Sequence, residues 1–210
     1  MATKIILVRH GETEWNRVER FRGQFDIELN ENGMVQARAT SVKIHNTWQP
    51  KLFFCSPLKR AIQTAQMIAE PFGSEPTGLP DLIDINYGKW QGLSPEEVKS
   101  HWPEELDAWY HNPEKTRIPD GENLAEVQER AFAFISSLVV DYPDSDVVVV
   151  SHTVVNRLIL MKVIGSPLSH FWSLDQHPCA INLIEHNGSG FILRSLNSTC
   201  HLEKSEGKPI

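Results

Sequence analysis

Arg9, His10 and Gly11 stand directly after a short apolar run, Ile5 to Val8, that reads as a buried strand. An arginine offers a planar fork of donors suited to a phosphate, and a histidine offers a nitrogen that titrates near neutrality. A glycine lets the chain turn tightly and leaves room for a ligand. Alone, such a trio is also what chance places at a strand end. Two later strand ends supply matching parts: Arg60 lies just beyond the strand 51–55, and His152 directly follows the β-branched run Val147 to Val150.

In open α/β sheets, ligands bind beyond the carboxyl ends of the strands, where helix N-termini present free N–H groups to anions. A parallel sheet would bring Arg9, His10, Arg60 and His152 to one rim. Two guanidinium forks and two imidazoles around one point describe a pocket for a phosphoryl group. No glycine-lysine nucleotide loop is present, and the nine histidines are scattered without metal-ligand spacing. His45, His101, His111, His170, His177 and His186 read as surface or capping residues.

With 210 residues, the chain suits one domain carrying an insertion. A formal net charge of −7 argues against nucleic-acid binding driven by overall charge, yet Arg9, Arg17, Arg20 and Arg22 can form a local positive pocket. Cys55, Cys179 and Cys200 are widely spaced, which fits a reducing cytoplasm better than a disulfide framework. The first apolar run is too short for a signal peptide, and no stretch is long enough to cross a bilayer. These features point to a cytoplasmic protein with no nucleic-acid or membrane partner.

Hydrophobic spacing sets out the elements. A polar loop, 17–28, leads to a helix from about Asn30, its N-cap, with Met34 and Ala37, and at the margin Val42, on the buried side. Ser56-Pro57 reads as the cap and first turn of a second helix, in which Leu58, Ile62, Ala65 and Ile68 keep helical spacing up to Pro71. From 72 to 119 the composition shifts to Pro, Trp, Tyr, Gly and Glu, and this stretch reads as an inserted cap. Within it, Ser94-Pro95-Glu96-Glu97 is a capping box, with Leu93 and Val98 as a hydrophobic staple. The helix restarts near Pro103, with Leu106, Trp109 and Tyr110 on its apolar side. Leu124, Val127, Ala131, Phe134 and Leu138 mark a long helix, and Val154, Leu158 and Met161 open the helix after His152. A short helix follows Ser166-Pro167. Asn187-Gly188-Ser189-Gly190 then turns a hairpin between strands at 180–186 and 191–196, which extend one edge of the sheet.

Arg9-His10-Gly11-Glu12-Thr13, Ser56-Pro57-Leu58-Lys59-Arg60-Ala61 with Thr64-Ala65, Tyr87-Gly88-Lys89-Trp90-Gln91-Gly92, Gly121-Glu122 and Ser151-His152 occur in that order. Together they resemble the histidine phosphatase superfamily, in its phosphoglycerate mutase-like branch. The resemblance implies a three-layer α/β/α sandwich with a mostly parallel central sheet and an inserted cap segment. It also implies catalysis through a phosphohistidine, with no metal or other cofactor. On matching positions, His10 is the nucleophile, Arg9, Arg60 and His152 complete the phosphate pocket, and Asn16 adds a phosphate contact. For attack, His10 must present a neutral nitrogen, so its other nitrogen should donate to a backbone carbonyl. Many relatives place a glutamate where this chain has Asp84, so Asp84 is the expected proton donor and later base; Glu12 or another carboxylate is the alternative. Asn123, where relatives often have serine, is a milder departure.

Gly23 and Tyr87 are the further candidates for substrate binding, and Tyr87 and Trp90 either line the pocket or simply pack the cap. The ending Leu196 to Leu202, with Phe171-Trp172-Ser173-Leu174, is similar to metal-independent phosphoserine phosphatases. This similarity implies that His201 reaches the substrate carboxylate, although a frayed surface tail fits as well. The length favours hydrolysis over phosphoglycerate mutase activity, with L-phosphoserine as the leading small phosphorylated metabolite. A broad phosphatase for sugar phosphates or phosphoglycerates, or a non-catalytic phospho-ligand module, are the other readings. The family also makes a homodimer plausible.

Overall fold

The computed structural model describes residues 2–16, 18 and 20–202. Six strands form one sheet in the order β3-β2-β4-β1-β5-β6. They are β1 (Thr3–Arg9), β2 (Leu52–Cys55), β3 (Thr77–Gly78), β4 (Asp146–Ser151), β5 (Ile181–His186) and β6 (Phe191–Ser198). The pairs β1–β4, β2–β4 and β2–β3 run parallel, while β5 and β6 join antiparallel as the expected hairpin edge. Strand β1 is therefore held between β4 on one side and β5 on the other.

Alternation along the central strands divides the core in two. Ile5, Leu7, Val147 and Val149 face one layer, and Ile6, Val8, Val148 and Val150 face the other; all eight are fully buried. Burying each such side chain contributes about 1.5–3 kcal/mol, which is why these runs carry no polar residue. Helices α1 (Glu31–Thr47) and α2 (Lys59–Ala69) cover the second face. The first face is covered by α5 (Leu124–Asp141) and α6 (Thr153–Ile164), together with α3 (Pro95–His101) and α4 (Pro103–His111). The result is the α/β/α sandwich with a mostly parallel sheet.

Local chemistry explains the helix starts. Asn30 caps α1 by accepting from Gly33 N at 2.8 Å. At α3, Ser94 Oγ accepts from Glu97 N at 3.2 Å, while the Glu97 carboxylate accepts from Ser94 N at 2.7 Å. Asn123 and Glu126 form a second capping box at α5.

Five local expectations change. Helix α2 begins at Lys59, because Leu58 is still extended and its N–H donates to Ser56 Oγ at 3.3 Å. Val42 is 60 % exposed; small residues, Ala37, Thr40 and Ser41, with Ile44, form the buried face of α1 instead. Tyr110 turns outward at the end of α4 while Leu106 and Trp109 are buried. The two-residue strand β3 lies within the stretch 72–119 and is too short to leave a periodic pattern. The segment after Pro167 is a 3-10 turn, Leu168–Ser173. Among the described residues no helix is long and apolar enough to cross a membrane.

Candidate active site

Strands β1, β2 and β4 end at the same rim of the sheet, and the side chains that follow them converge there. His10 N donates to Ser151 O at 2.9 Å, which ties the end of β1 to the end of β4. Gly11 N donates to Thr64 Oγ1 at 3.0 Å, which ties the turn to α2. A side chain at Gly11 has no room: its Cβ would lie 2.6 Å from Gly33 O. The nucleophile candidate is thus set by backbone contacts on three sides.

The His10 ring is almost completely buried, with Nδ1 2.7 Å from Gly11 O. A carbonyl can only accept, so Nδ1 carries the proton and Nε2 keeps its lone pair. Burial first, and then the Arg60 and Arg9 charges, holds the imidazole well below the usual histidine range. His152 stands at the N-cap of α6 in extended backbone, fully buried, and its pKa is lowered in the same way by burial and then by Arg60. Its Nδ1 lies 3.6 Å from Asp84 Oδ2.

Arg60 comes from the first turn of α2 and is fully buried. It donates through Nη1 to Phe25 O at 2.7 Å and through Nη2 to Gly23 O at 2.8 Å and Asp84 Oδ2 at 3.1 Å. Arg9 donates to Gln176 O. The Nε atoms of both arginines and both ring nitrogens of His152 are buried and make no hydrogen bond within the protein. The guanidinium N–H groups and the single N–H of a neutral His152 fit an anion held between them.

Asp84 is 8 % exposed, and its Oδ1 accepts from Ile85 N at 3.0 Å. Burial raises its pKa, opposed by the Arg60 and Arg22 charges. Glu12 points elsewhere: its carboxylate accepts from Asn30 Nδ2 at 2.8 Å and Asn32 Nδ2 at 3.0 Å at the start of α1. Asp84 is the carboxylate that lines the cavity beside His10.

That cavity, of about 250 Å³, also takes in Gly23 and Tyr87. Gly23 has φ +50°, and a Cβ there would meet Gln91 Oε1 at 2.5 Å, so its carbonyl can serve Arg60 only as glycine. Burial raises the Tyr87 pKa, and the ring packs edge-on to Phe21 and Trp109. Trp90 is fully buried in the core against Phe21 and Trp109. Arg9, Arg60 and His152 are buried off the cavity wall, the last two against Asp84, and Asn16 and His201 are not on the wall either. The Asn16 carbonyl accepts from Thr13 N at 2.9 Å and from its hydroxyl at 2.8 Å, and His201 Nε2 meets Thr40 Oγ1 of α1 at 3.0 Å.

Of the arginine-rich loop, Arg20 and Arg22 line the cavity, and Arg17 lies outside the described residues. Sequence reasoning missed Arg157, Thr153 and the wall formed by Phe171 and Trp172. Arg157 could have been found: it sits four residues after Thr153 on a helix whose first turn faces the site. Among the described residues no group of three or more His, Cys, Asp or Glu side chains could hold a metal ion.

Comparison with known proteins places this geometry. Residues 5–199 match the histidine phosphatase superfamily (branch 1). Phosphoserine phosphatase 1 of Hydrogenobacter thermophilus is 36% identical over 199 residues, covering 95% of this chain and 94% of that protein. A metal-independent phosphoserine phosphatase of Arabidopsis thaliana is 35% identical over 163 residues, 77% of this chain and 68% of its own. Among solved structures, Bacillus stearothermophilus YhfR superposes with a TM-score of 0.91 at 27% identity, over 96% of this chain and 100% of that one. A phosphoserine phosphatase mutant from Entamoeba histolytica in complex with phosphoserine gives 0.86 at 26% identity, with the same coverage. With that match running through both halves of the site, the chain belongs to the histidine phosphatase superfamily.

Proposed function

We propose that this protein is a metal-independent phosphomonoester hydrolase that works through a phosphohistidine at His10, with L-phosphoserine as its substrate. The observation that carries the reading is the His10 ring, locked through Nδ1 onto Gly11 O with Nε2 left as a lone pair. A binding module has no need of an imidazole fixed in that way. In-line attack forms the Nε2–P bond and breaks the P–O bond to the leaving alkoxide. Arg9, Arg60 and His152 surround the non-bridging oxygens and offset their charge without moving during the reaction.

Asp84, whose pKa burial raises, gives a proton to the alkoxide. As a carboxylate it then takes a proton from the water that attacks phosphorus, and the Nε2–P bond breaks to release phosphate. Asn16 supports the phosphate-side loop through Thr13, and the stretch 72–119 acts as the cap, contributing Tyr87 and Trp109 to the wall. His201 would steady the end of the chain against α1 and meet the substrate carboxylate only if the tail shifts. The three free thiols suit the cytoplasm, and two copies would pair through the outer edge of β6.

A second reading, hydrolysis of phosphoglycerates, draws on one feature: among the described residues Asp84 is the sole carboxylate on the cavity wall, and it is already paired with Arg60. An ammonium group would have to rest on aromatic faces and the Tyr87 hydroxyl. The test is phosphate release from L-phosphoserine, 3-phosphoglycerate and an aryl phosphate with excess chelator. Preference for phosphoserine that survives chelation supports the proposal. Faster turnover of 3-phosphoglycerate supports the second reading, and activity lost to the chelator removes the metal-independent mechanism.

A further inference from the structure

Arg157 has no part in the chemistry assigned above, yet it lines the same cavity as His10 and Asp84. It projects from the second turn of α6, with 11 % of its side chain exposed. Its guanidinium carbon lies 5.2 Å from the ring centroids of both Phe171 and Trp172. Aromatic faces hold a guanidinium plane in place while leaving its edge, with the N–H donors, turned outward. Those donors are poorly used within the protein. Nη2 reaches an oxygen of Asp175 only at 3.8 Å, and that carboxylate is two-thirds exposed and screened by water. The buried Nε makes no hydrogen bond within the protein.

Of the other arginines on the wall, Arg20 donates to Gly92 O and to Glu97 at 3.2 Å, while Arg22 also keeps a buried Nη1 that makes no hydrogen bond within the protein but, among the described residues, has no aromatic face against it. Arg60, off the wall, is tied to Asp84 and two carbonyls. Around Arg157 the wall is largely apolar, built from Trp109, Val154, Phe171 and Trp172. A fixed fork of donors in such a wall recognises a planar anion, and a carboxylate matches its geometry with two parallel hydrogen bonds.

We infer that Arg157 is a specificity-determining residue that binds a carboxylate at the non-phosphoryl end of the substrate, so that the cavity selects phosphate esters of hydroxy acids. The inference rests on the phosphatase reading, and it applies equally to phosphoserine and phosphoglycerate. The competing role is purely structural: Arg157 braces Phe171 and Trp172, and its loss loosens the wall for every substrate alike.

Two substrate pairs that differ by the carboxylate separate these roles: L-phosphoserine with phosphoethanolamine, and 3-phosphoglycerate with glycerol phosphate. The full chain is assayed as wild type, Arg157→Gln and Arg157→Lys. Within each pair the wild type favours the carboxylated member in kcat/KM. Arg157→Gln lowers that ratio about 10- to 100-fold, chiefly through KM, as expected for one charge-assisted contact. Arg157→Lys recovers part of it, because the charge remains and the fork is lost. Parallel losses on both members of a pair, or an unchanged ratio, overturn the inference. If no ester is turned over, the phosphatase reading fails by itself. The same ratio, read as Kd by calorimetry for 3-phosphoglycerate and glycerol phosphate, then decides the carboxylate site: a ratio unaffected by Arg157→Gln overturns it.

Discussion

The imidazoles of His10 and His152 stand 5.1 Å apart between ring centroids, tilted by 57°. Two protonated rings at that distance would repel each other and the arginines around them, so both are neutral at pH 7. Neutrality gives His10 its lone pair and lets His152 act as a hydrogen-bond donor that costs no extra charge. His10→Ala should abolish the acid-labile phosphoenzyme formed from labelled substrate. His152→Ala should still form it, with kcat lowered about 10²–10³-fold. Full phosphoenzyme formation in His10→Ala would place the nucleophile elsewhere.

Asp84→Asn keeps the volume and the contact to Arg60 but removes the transferable proton. Alkyl phosphates, whose leaving oxygen needs protonation, should lose about 10²–10⁴-fold in kcat. p-Nitrophenyl phosphate, with a good leaving group, should still phosphorylate the enzyme and then stall at the water step. Stopped-flow absorbance would show this as a burst of nitrophenol. Equal losses on both esters without a burst would assign the acid to another residue.

Stability should fall on mild acidification. His10 and His152 have folded pKa values depressed below the unfolded value of about 6.5, so the unfolded chain binds more protons in acid. Their contribution is fully present above about pH 6.5 and is lost as pH falls through that value toward the folded ones, by up to about 1.4 kcal/mol per pH unit for each ring. Asp84, with a raised pKa, works in the opposite sense: its contribution is complete below about pH 4 and fades as pH rises through its folded value. Denaturant titrations between pH 5 and pH 7 should therefore show a slope that decreases in His152→Gln. A slope unchanged by that substitution would mean that His152 titrates normally.

Gly33 faces the turn after His10 so closely that a Cβ would lie 2.1 Å from Glu12 O. Gly33→Ala should force α1 away from that turn, costing about 1–3 kcal/mol and lowering kcat as His10 shifts. Chemical denaturation and steady-state kinetics on the same preparation would check both effects. A stable, fully active variant would show that the turn can move without disturbing the nucleophile.

Much of this architecture could be read from residue order because local chemistry and burial agree. The runs Ile5 to Val8 and Val147 to Val150 are apolar on both faces, as strands buried between two helical layers must be. Capping residues Asn30, Ser94 and Asn123 mark their helices for the same reason. The start of α2 was misread because Pro57 favours a first turn in general, whereas here the chain stays extended through Leu58 before turning. Val42 was misread because α1 buries small residues against α2, and hydrophobicity alone cannot register close approach by Ala37 and Ser41. In the site, His10, Arg9, Arg60 and His152 were readable as strand-end residues. Arg157 could be placed on the site's side of its helix by its spacing from Thr153, but the aromatic faces that hold it, Phe171 and Trp172, come from a 3-10 turn that no periodicity announces.

The position of β1 between β4 and β5 also bears on how the protein is made. The residues of β1 are synthesised well before their hydrogen-bonding partners, which begin only at Asp146 and Ile181. At roughly 5–20 residues per second, a ribosome leaves Ile5 to Val8 without either neighbour for on the order of ten seconds. During that interval the same β-branched run that later anchors His10 is an unpaired, apolar edge open to other nascent chains. The rim that carries His10 is therefore complete only after β4 and then β5 have been added beside a strand made long before them.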